Sequence, residues 1–341
     1  MRVGVGTLTT FTRRRPRPSH VFDTFWRFAA ERQRVFHARA TGQSPPWTVD
    51  QIISAHRFTN VYRAADRVSQ FLINEVIPKS TSEPIDVVFR TLLFKIFNRI
   101  STWRRLEMEL GELHAGGFDA VTHSDVLTRA RAAGYQIYSA AYIMPMPNMP
   151  GVRSKHEAHL LLLARLLSDG ALDRFCVAPT LRRTYELLLE VPSFGPFLAF
   201  QFAIDINYAP AVHHSEMEFV VAGPGAISGM HKCFIDLDGL DYEDVIRYTC
   251  DRADREFSSR GLEFKNLWGR PLHLIDCQNV FCEVDKYSRV AHPEVPGAGR
   301  RTRIKRKYSL DPEPMSYGFP PKWSVSVPEA VRWNSARPAA V

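Results

Sequence analysis

The sequence has little cysteine and no cysteine pattern that indicates a disulfide framework or a zinc cage. Its 341 residues include five cysteines, an odd number, and none of them forms a C-x-x-C pair. Zinc cages usually contain such pairs, and secreted domains usually pair their cysteines. We therefore expect a reduced, cytoplasmic protein with no metal site and no cofactor.

Long apolar runs are also lacking. No segment reaches the roughly 20 apolar residues that a membrane-spanning helix needs. The N-terminus does not show the cationic and then apolar layout of a signal peptide. We expect no membrane partner.

A nucleotide-binding P-loop is a third absence. Its pattern, G-x-x-x-x-G-K-[ST], does not occur, and the nearest candidate is GPGAISGMHK at 223–232. That segment has a different spacing and ends without the Lys-Ser/Thr pair. The sequence therefore predicts that this chain is not a P-loop NTPase.

Positive charge is present in excess and is unevenly placed. The formal net charge is +8 and the isoelectric point is about 9.3. One arginine-rich run covers 13–17 and a second basic run covers 300–307. Such runs indicate a polyanionic partner, although solvated tails flanked by proline have the same composition.

Helical periodicity dominates from about 20 to 260 and strand alternation is scarce, so the sequence predicts a mainly α fold. Three regions follow from composition: a basic N-terminal arm at 1–19, a helical domain at 20–290, and a basic tail rich in proline and arginine at 291–341, which either wraps or dangles. Expected helices cover 21–40, 57–77, 84–99, 101–114, 122–133, 154–168, 180–190 and 241–259, and a strand and then a helix are expected within 271–290.

A helical hairpin is predicted at 181–206. A helix ends at Val191, a turn with Gly195 follows, and the apolar run 197–206 has helical density. Glycine lets a backbone approach a phosphate closely, and the N-terminus of a helix favours negative charge. We expect the turn residues Ser193, Phe194 and Gly195 to contact DNA phosphates, and we expect four apolar residues to be buried: Val191, Phe197, Leu198 and Phe202. An ordinary interhelical loop is the alternative.

A second glycine-rich entrance follows at 223–232. Gly223, Gly225 and Gly229 precede Lys232, so bare backbone donors would lie beside a cation. We expect these four residues to bind phosphate, with an ordinary loop again as the alternative.

Polar residues inside apolar segments supply further candidates. In a helix over 57–77, the residues Asn60, Arg63 and Arg67 would lie near one face, and Arg57 is in the same stretch. This row can clamp a phosphate or form an intrahelical lattice of ion pairs. Asn98 follows an apolar run at a helix-to-turn corner, where its amide can hold a base or cap the helix.

A metal site at His213, His214, Glu216 and Glu218 is disfavoured. Adjacent histidines on an extended loop point in opposite directions, so a solvated loop is the better interpretation.

The hairpin sequence VPSFGPFLA, at 191–199, resembles the helix-hairpin-helix of base-excision DNA glycosylases. In that group an aspartate lies a little over twenty residues beyond the hairpin glycine. Here Glu218 lies 23 residues after Gly195. The resemblance implies a catalytic carboxylate at this position, although glutamate replaces the usual aspartate.

Six blocks in one order carry a more specific resemblance, which covers about 30 to 290. Together they resemble the helical domain associated with 5-hydroxymethyluracil DNA kinases, a group similar to the alpha-glutamyl/putrescinyl thymine pyrophosphorylases of thymine hypermodification in phage and bacterial DNA. The blocks are PWTVD (46–50), RFTNVYRAADRVS (57–69), LLFKIFNRISTW (92–103), FLAFQFAIDINY (197–208), EFVVAGPGA (218–226) and CQNVFCEVDKYSRV (277–290). Because no P-loop motif occurs, we do not expect the kinase half of the family name within these residues. The resemblance therefore implies a glycosylase-like domain that acts on or reads a modified pyrimidine in DNA, with a separate P-loop DNA base kinase as a possible partner.

Three functions stay open from the sequence. The first is a transferase that places a nucleophile on a phosphorylated 5-hydroxymethyl group, with Glu218 or Asp205 as general base and Phe194 as a wedge in the base stack. The second is a non-catalytic DNA-binding module that works with a separate kinase. The third is a glycosylase-like base-excision enzyme.

Overall fold

The computed structural model describes residues 14–80, 83–140, 143–299, 301–311, 313, 315–329 and 331. Within them the fold is mainly α, as predicted. The α-helices are α1 (His20–Ala40), α2 (Gln51–Ala55), α3 (Arg67–Phe71), α4 (Pro84–Phe97), α5 (Ile100–Leu110), α6 (Ala120–Ala132), α7 (Lys155–Ser168), α8 (Ala171–Val177), α9 (Leu181–Leu189), α10 (Pro196–Ile206), α11 (Pro224–Cys233), α12 (Tyr242–Asp251), α13 (Ala253–Ser259) and α14 (Leu274–Ala291). The short strands β1 (Arg17–Pro18) and β2 (Phe234–Asp236) pair antiparallel, with Arg17 opposite Asp236 and Pro18 opposite Phe234.

Helix α1 anchors one side of the core through its aromatic side chains. Phe25 and Trp26 are fully buried. The Phe25 ring lies 4.6 Å from the Phe281 ring of α14, and the Trp26 ring lies 4.9 Å from the Phe257 ring of α13, as centroid distances. Such aromatic pairs stabilise a core beyond their buried area.

The helices α11 and α14 pack unusually closely because α11 carries glycines on the contact face. A Cβ atom added at Gly229 would lie 2.1 Å from the backbone oxygen of Phe281, and one at Gly225 would lie 3.1 Å from the Cys282 sulfur. These two glycines therefore serve helix packing. The interpretation of 223–229 as an open phosphate loop is wrong, because only Gly223 lies outside the helix, at its N-cap.

The predicted hairpin is present as two helices joined by a turn. Helix α9 begins at the N-cap Thr180, whose hydroxyl accepts a hydrogen bond from the Arg183 N–H, and α10 begins after Gly195. Val191, Leu198 and Phe202 are buried as expected, whereas Phe197 is only partly buried.

The 57–77 segment differs from the single helix that its apolar spacing predicts. It contains a 3₁₀ turn at Arg63–Ala65, then α3, then a π-helical turn at Leu72–Val76. The Asp66 carboxylate accepts the Asn60 N–H, and the Asn60 side chain donates to the Ala65 carbonyl. These local side-chain bonds to the backbone replace the helical pattern.

Two other segments also differ from prediction. The expected helix over 241–259 is divided at Arg252 into α12 and α13. The expected strand within 271–290 is absent from the described residues of that range, where α14 begins after the N-cap His273. The side chain of Asp276 accepts the His273 N–H in a capping box, which starts the helix there.

The described part of the C-terminal region wraps against the helical domain. The Arg57 N–H donates to the Arg306 carbonyl, and the Tyr308 N–H donates to the Ala55 carbonyl. Farther along, Val327 and Val331 are buried in the core. Among the described residues, no helix is long and apolar enough to cross a membrane.

Candidate functional site

The centre of the candidate site is Asp205, near the end of α10. Both of its carboxylate oxygens bind the Arg63 guanidinium, at 2.6 and 3.1 Å, and the Lys95 ammonium from α4 lies 2.5 Å away. Burial acts to raise the pKa of Asp205, but the charges of Arg63 and Lys95 outweigh it and hold the pKa below its ordinary value. A buried carboxylate thus stays ionised between two cations.

A second buried ion pair lies close to the first. Glu216, in the segment after α10, binds the Arg270 guanidinium at 2.6 Å. The Asn207 amide faces the same carboxylate at 3.4 Å. Burial raises the pKa of Glu216 against the opposing charge of Arg270, so this carboxyl group is more basic than an exposed glutamate.

Aromatic side chains connect the two pairs. The Tyr208 hydroxyl lies 3.3 Å from an Arg63 nitrogen, and the Tyr208 ring lies 5.7 Å from the Trp323 ring. The Arg270 guanidinium carbon lies 3.5 Å from the centroid of a Trp323 ring, a close cation–π contact. Trp323 belongs to the C-terminal region, so that region covers the site.

Lys322, next to Trp323 in the chain, covers the same side of the site. Its ammonium donates to the side-chain oxygen of Asn207 at 3.0 Å and also to the backbone carbonyls of Asn207 and Val212. Burial lowers the pKa of Lys322 to about 8. We call the following set the buried centre: Arg63, Lys95, Asp205, Asn207, Tyr208, Glu216, Arg270, Asp276, Lys322 and Trp323.

Asp276 is the member of this set at the start of α14. Its carboxylate accepts the His273 N–H at 3.0 Å and also faces the backbone N–H of Arg63. Burial raises the pKa of Asp276 to about 7, although Arg270 opposes the rise. The buried centre therefore contains four cationic side chains and three carboxyl groups, and one of those carboxyl groups is partly protonated near neutral pH.

This raised pKa predicts a pH dependence of stability. A carboxyl group that binds its proton more tightly in the folded state stabilises the protein below its unfolded pKa of about 4, and this contribution is lost as pH rises to about 7. We expect the free energy of unfolding of wild type to fall, relative to that of Asp276→Asn, between pH 5 and pH 8. Denaturant unfolding of both proteins at several pH values measures this difference, and a constant difference would contradict the assignment.

Two predicted site residues are brought to this centre. Asp205 and Arg63, which come from separate candidate groups, form its first ion pair. Asn60 is buried nearby in the chain but binds Arg32 and Ala65, and Arg57 is exposed, so the predicted phosphate-clamping row does not form. The absence of a regular helix at 57–62 separates their side chains.

Other candidates lie elsewhere. Asn98 ends α4 with a left-handed backbone (φ 48°), as expected of a helix cap. Lys232 is buried, and its ammonium binds the Asp285 carboxylate at 3.1 Å, which corrects the expectation of a cation presented to a phosphate. Glu218 is exposed outside the buried centre, and its backbone oxygen accepts from Arg247.

The hairpin turn carries three of the residues predicted to bind phosphate, and they differ in exposure. Gly195 is exposed, and a Cβ atom there would meet open space. Ser193 adopts a left-handed backbone (φ 70°) in the turn. Phe194 is buried against Phe202, with ring centroids 4.7 Å apart, so it is not exposed as a wedge for the base stack.

Eight members of the buried centre were not among the predicted site residues: Lys95, Asn207, Tyr208, Glu216, Arg270, Asp276, Lys322 and Trp323. Of these, Glu216 was considered only as a ligand of the disfavoured metal site. Lys95 carried a signal, because it is a single charge within the apolar run 92–97 and must find a buried partner. Arg270 lies in an irregular segment and Lys322 in a single 3₁₀ turn (Pro321–Trp323), and both are too short to carry a periodic pattern.

Among the residues that the structure describes, one group of side chains has metal-ligand chemistry. His20, His292 and Glu294 offer ligand atoms within 4.8 Å of one another, at the start of α1 and the end of α14. The His20 and Glu294 atoms are 3.3 Å apart. Both of these residues are exposed, and a surface contact between the imidazole and the carboxylate accounts for the arrangement.

Together, the fold and the site define a mainly helical domain with a hairpin and a buried cluster rich in cations. The family model described as "5-hmdU DNA kinase, helical domain" matches residues 19–297. The chain therefore belongs to this family, and the resemblance seen in the six sequence blocks is confirmed.

One curated relative is named 5-hmdU DNA kinase and comes from Bacillus phage SP10. It is 24% identical to this chain over 317 residues, which cover 87% of this chain and 50% of the relative. The chain thus spans about half the length of the relative. No solved structure shows a significant match.

Proposed function

We propose that this chain modifies 5-hydroxymethyluracil in DNA, as a transferase that replaces a phosphorylated 5-hydroxymethyl oxygen by a nucleophile at the buried centre. The observation that carries this proposal is the Asp205 carboxylate held between Arg63 and Lys95. Membership in the family named for 5-hmdU DNA kinases supports the choice of substrate. The kinase activity itself would come from another polypeptide segment or chain.

Arg63 and Lys95 suit a phosphate as well as they suit a carboxylate. Guanidinium groups bind phosphate oxygens in a bidentate manner, and lysine binds them as a point charge. A phosphorylated base that enters the centre can therefore take these two cations from Asp205. Once these cations are shared, the Asp205 carboxylate becomes a stronger base, since its charge is less well compensated.

The proposed step balances in bonds and protons. The bond between the 5-methylene carbon and the phosphoryl-bearing oxygen breaks, and the electron pair leaves with the phosphate. An amine nucleophile forms a new carbon–nitrogen bond and gives its proton to Asp205. Positioned cations stabilise the charge that develops on the leaving group, and a positioned base contributes about 10²–10⁴ in rate.

The hairpin is proposed to hold the DNA backbone beside this centre. Gly195 is open to solvent at the N-terminus of α10, and Asp205 lies on the same helix, ten residues farther along. A phosphate bound at the helix N-terminus would thus be coupled directly to the helix that carries the base. The modified pyrimidine must leave the stack to reach a buried carboxylate, at a cost of a few kcal/mol.

A second candidate is a non-catalytic module that reads the modified base for a kinase. Asp205 is fully compensated by two cations, which also fits a purely structural ion pair. The relative named as a kinase is about twice as long as the matched region, which fits a division between a reading half and a kinase half.

Both candidate functions require DNA binding. Variants of the second basic run, at 300–307, test whether this run contributes to it. Arg303, Lys305 and Lys307 are exposed, and each cation placed at a phosphate contributes about 0.9 to the salt slope of the binding constant. We expect the triple change to glutamine to lower duplex affinity and to flatten the slope by about 1 to 3. Fluorescence anisotropy across a salt series measures both quantities, and an affinity that does not depend on salt would exclude this mode of binding.

A further inference from the structure

A groove lined by arginines lies apart from the buried centre. Its volume is about 400 Å³, and its lining includes Arg67, Arg104, Arg105, Ser101 and Met108. Arg104 and Arg105 lie in the second turn of α5, and Ser101 lies in its first turn, where the helix dipole favours negative charge. The groove is therefore suited to an anion.

Aromatic rings hold two of these arginines in place. The Arg104 guanidinium carbon lies 5.5 Å from the Phe71 ring centroid, and that of Arg105 lies 4.3 Å from the Tyr135 ring centroid. Stacked guanidinium groups lose less freedom when they bind an anion, because their orientation is already restricted.

The C-terminal region places two carboxylates in this groove. Asp311 binds the Arg67 guanidinium at 2.9 Å, and Glu313 binds that of Arg104 at 3.2 Å. The backbone carbonyl of Glu313 also accepts from Arg67, at 2.6 Å. Asp311, Glu313 and Arg104 are about half exposed, so these pairs contribute little stability and can exchange with another anion.

We propose that this arginine groove binds phosphates of the DNA backbone and that Asp311 and Glu313 occupy it as internal competitors. This inference rests on the proposed function for the identity of the polyanion. A phosphate that enters the groove must displace the two carboxylates, and it thereby loosens the segment that carries them.

The C-terminal region that carries Asp311 and Glu313 continues to Lys322 and Trp323, which cover the buried centre. Displacement of the two carboxylates can therefore affect access to that centre. Between the two sites, Gln70 clamps Gly318 by two hydrogen bonds, of 2.8 and 3.0 Å, and Asn74 donates to the Ser316 carbonyl at 3.0 Å. Lys322 and Trp323 follow directly and close the centre. Backbone phosphates in the groove would thus favour opening of the site that receives the base.

Charge variants test the groove on the full chain. We expect Asp311→Asn with Glu313→Gln to raise affinity for a 5-hydroxymethyluracil duplex at low salt by about threefold or more, and Arg104→Gln to lower it by a similar factor. The matched controls are Asp169→Asn and Arg165→Gln, which alter an exposed ion pair on α7 and should change affinity much less. If the groove variants behave like the controls, the groove proposal is overturned.

Amide hydrogen exchange tests the displacement separately. We expect exchange at 315–323 to rise when inorganic triphosphate or the duplex is added to wild type, and to be raised already in the Asp311→Asn, Glu313→Gln protein. If the duplex binds but exchange in this segment is unchanged, the inference fails and the proposed function stands. If triphosphate releases the segment but no duplex binds, the groove is an anion site and the proposed function fails.

Discussion

Asp205→Asn is expected to reduce turnover on DNA that contains phosphorylated 5-hydroxymethyluracil by about two orders of magnitude or more. The asparagine keeps the size of the side chain but can no longer accept the proton of the nucleophile. Because the hairpin and the basic run are proposed to contact the backbone independently of Asp205, affinity for an unmodified duplex should change by less than about twofold. Nucleoside mass spectrometry gives the turnover, and anisotropy gives the affinity.

Two further variants make this result interpretable. Glu218→Gln removes an exposed carboxylate from the same region and should leave turnover nearly unchanged. Because an unpaired buried charge costs about 3–5 kcal/mol, Asp205→Asn alone can destabilise the fold through Arg63 and Lys95. The double variant with Lys95→Met removes one of the two surplus charges and should fold better while remaining inactive. Full activity in either Asp205 variant would remove this residue from the mechanism.

Gly195→Asp should lower duplex affinity by about tenfold or more without harming the fold. Gly195 is the N-cap of α10 with an extended backbone (φ −84°), and a Cβ atom there meets open space. Aspartate is a preferred N-cap residue, so thermal stability should hold or rise. The new carboxylate would occupy the position where a phosphate is proposed to bind, and it would repel the DNA backbone.

Gly195→Asn is the matched control for this change. Asparagine caps the helix as well as aspartate does but carries no charge, so it should lower affinity less. Equal losses for both variants would indicate that the side chain only obstructs the turn. Unchanged affinity in Gly195→Asp would show that the hairpin does not hold the backbone.

The fold was predictable wherever the apolar period was regular and the ends were capped. The hairpin helices α9 and α10 are examples, because a threonine cap and a Gly-Pro turn mark their starts. The segment 57–77 was not, since Asn60 and Asp66 bond to nearby backbone groups and compete with helical hydrogen bonds. The glycines of α11 were wrongly interpreted as a phosphate loop. They are required by the close contact of α11 with α14, some fifty residues farther along the chain, which the local sequence does not reveal.

The site was predictable only in part. Asp205 is a charge within an apolar helix, and such a charge needs buried partners. Its neighbours Glu216, Arg270 and Lys322 come from loops and a short 3₁₀ turn far apart in the chain, and only the tertiary fold brings them together. The glycosylase-like spacing favoured Glu218, whereas the buried carboxylate of that segment is Glu216, two residues earlier.

The most direct test of the account compares two duplexes that differ only at one base, thymine in one and phosphorylated 5-hydroxymethyluracil in the other. If the buried centre receives the modified base, wild type should bind the modified duplex at least about tenfold more tightly, a difference of about 1.4 kcal/mol. Lys95→Met should lose most of this preference while it still binds both duplexes, because Lys95 is one of the two cations proposed to hold the phosphate. Equal wild-type affinity for the two duplexes, with duplex binding intact, would contradict the assignment of this centre to the modified base.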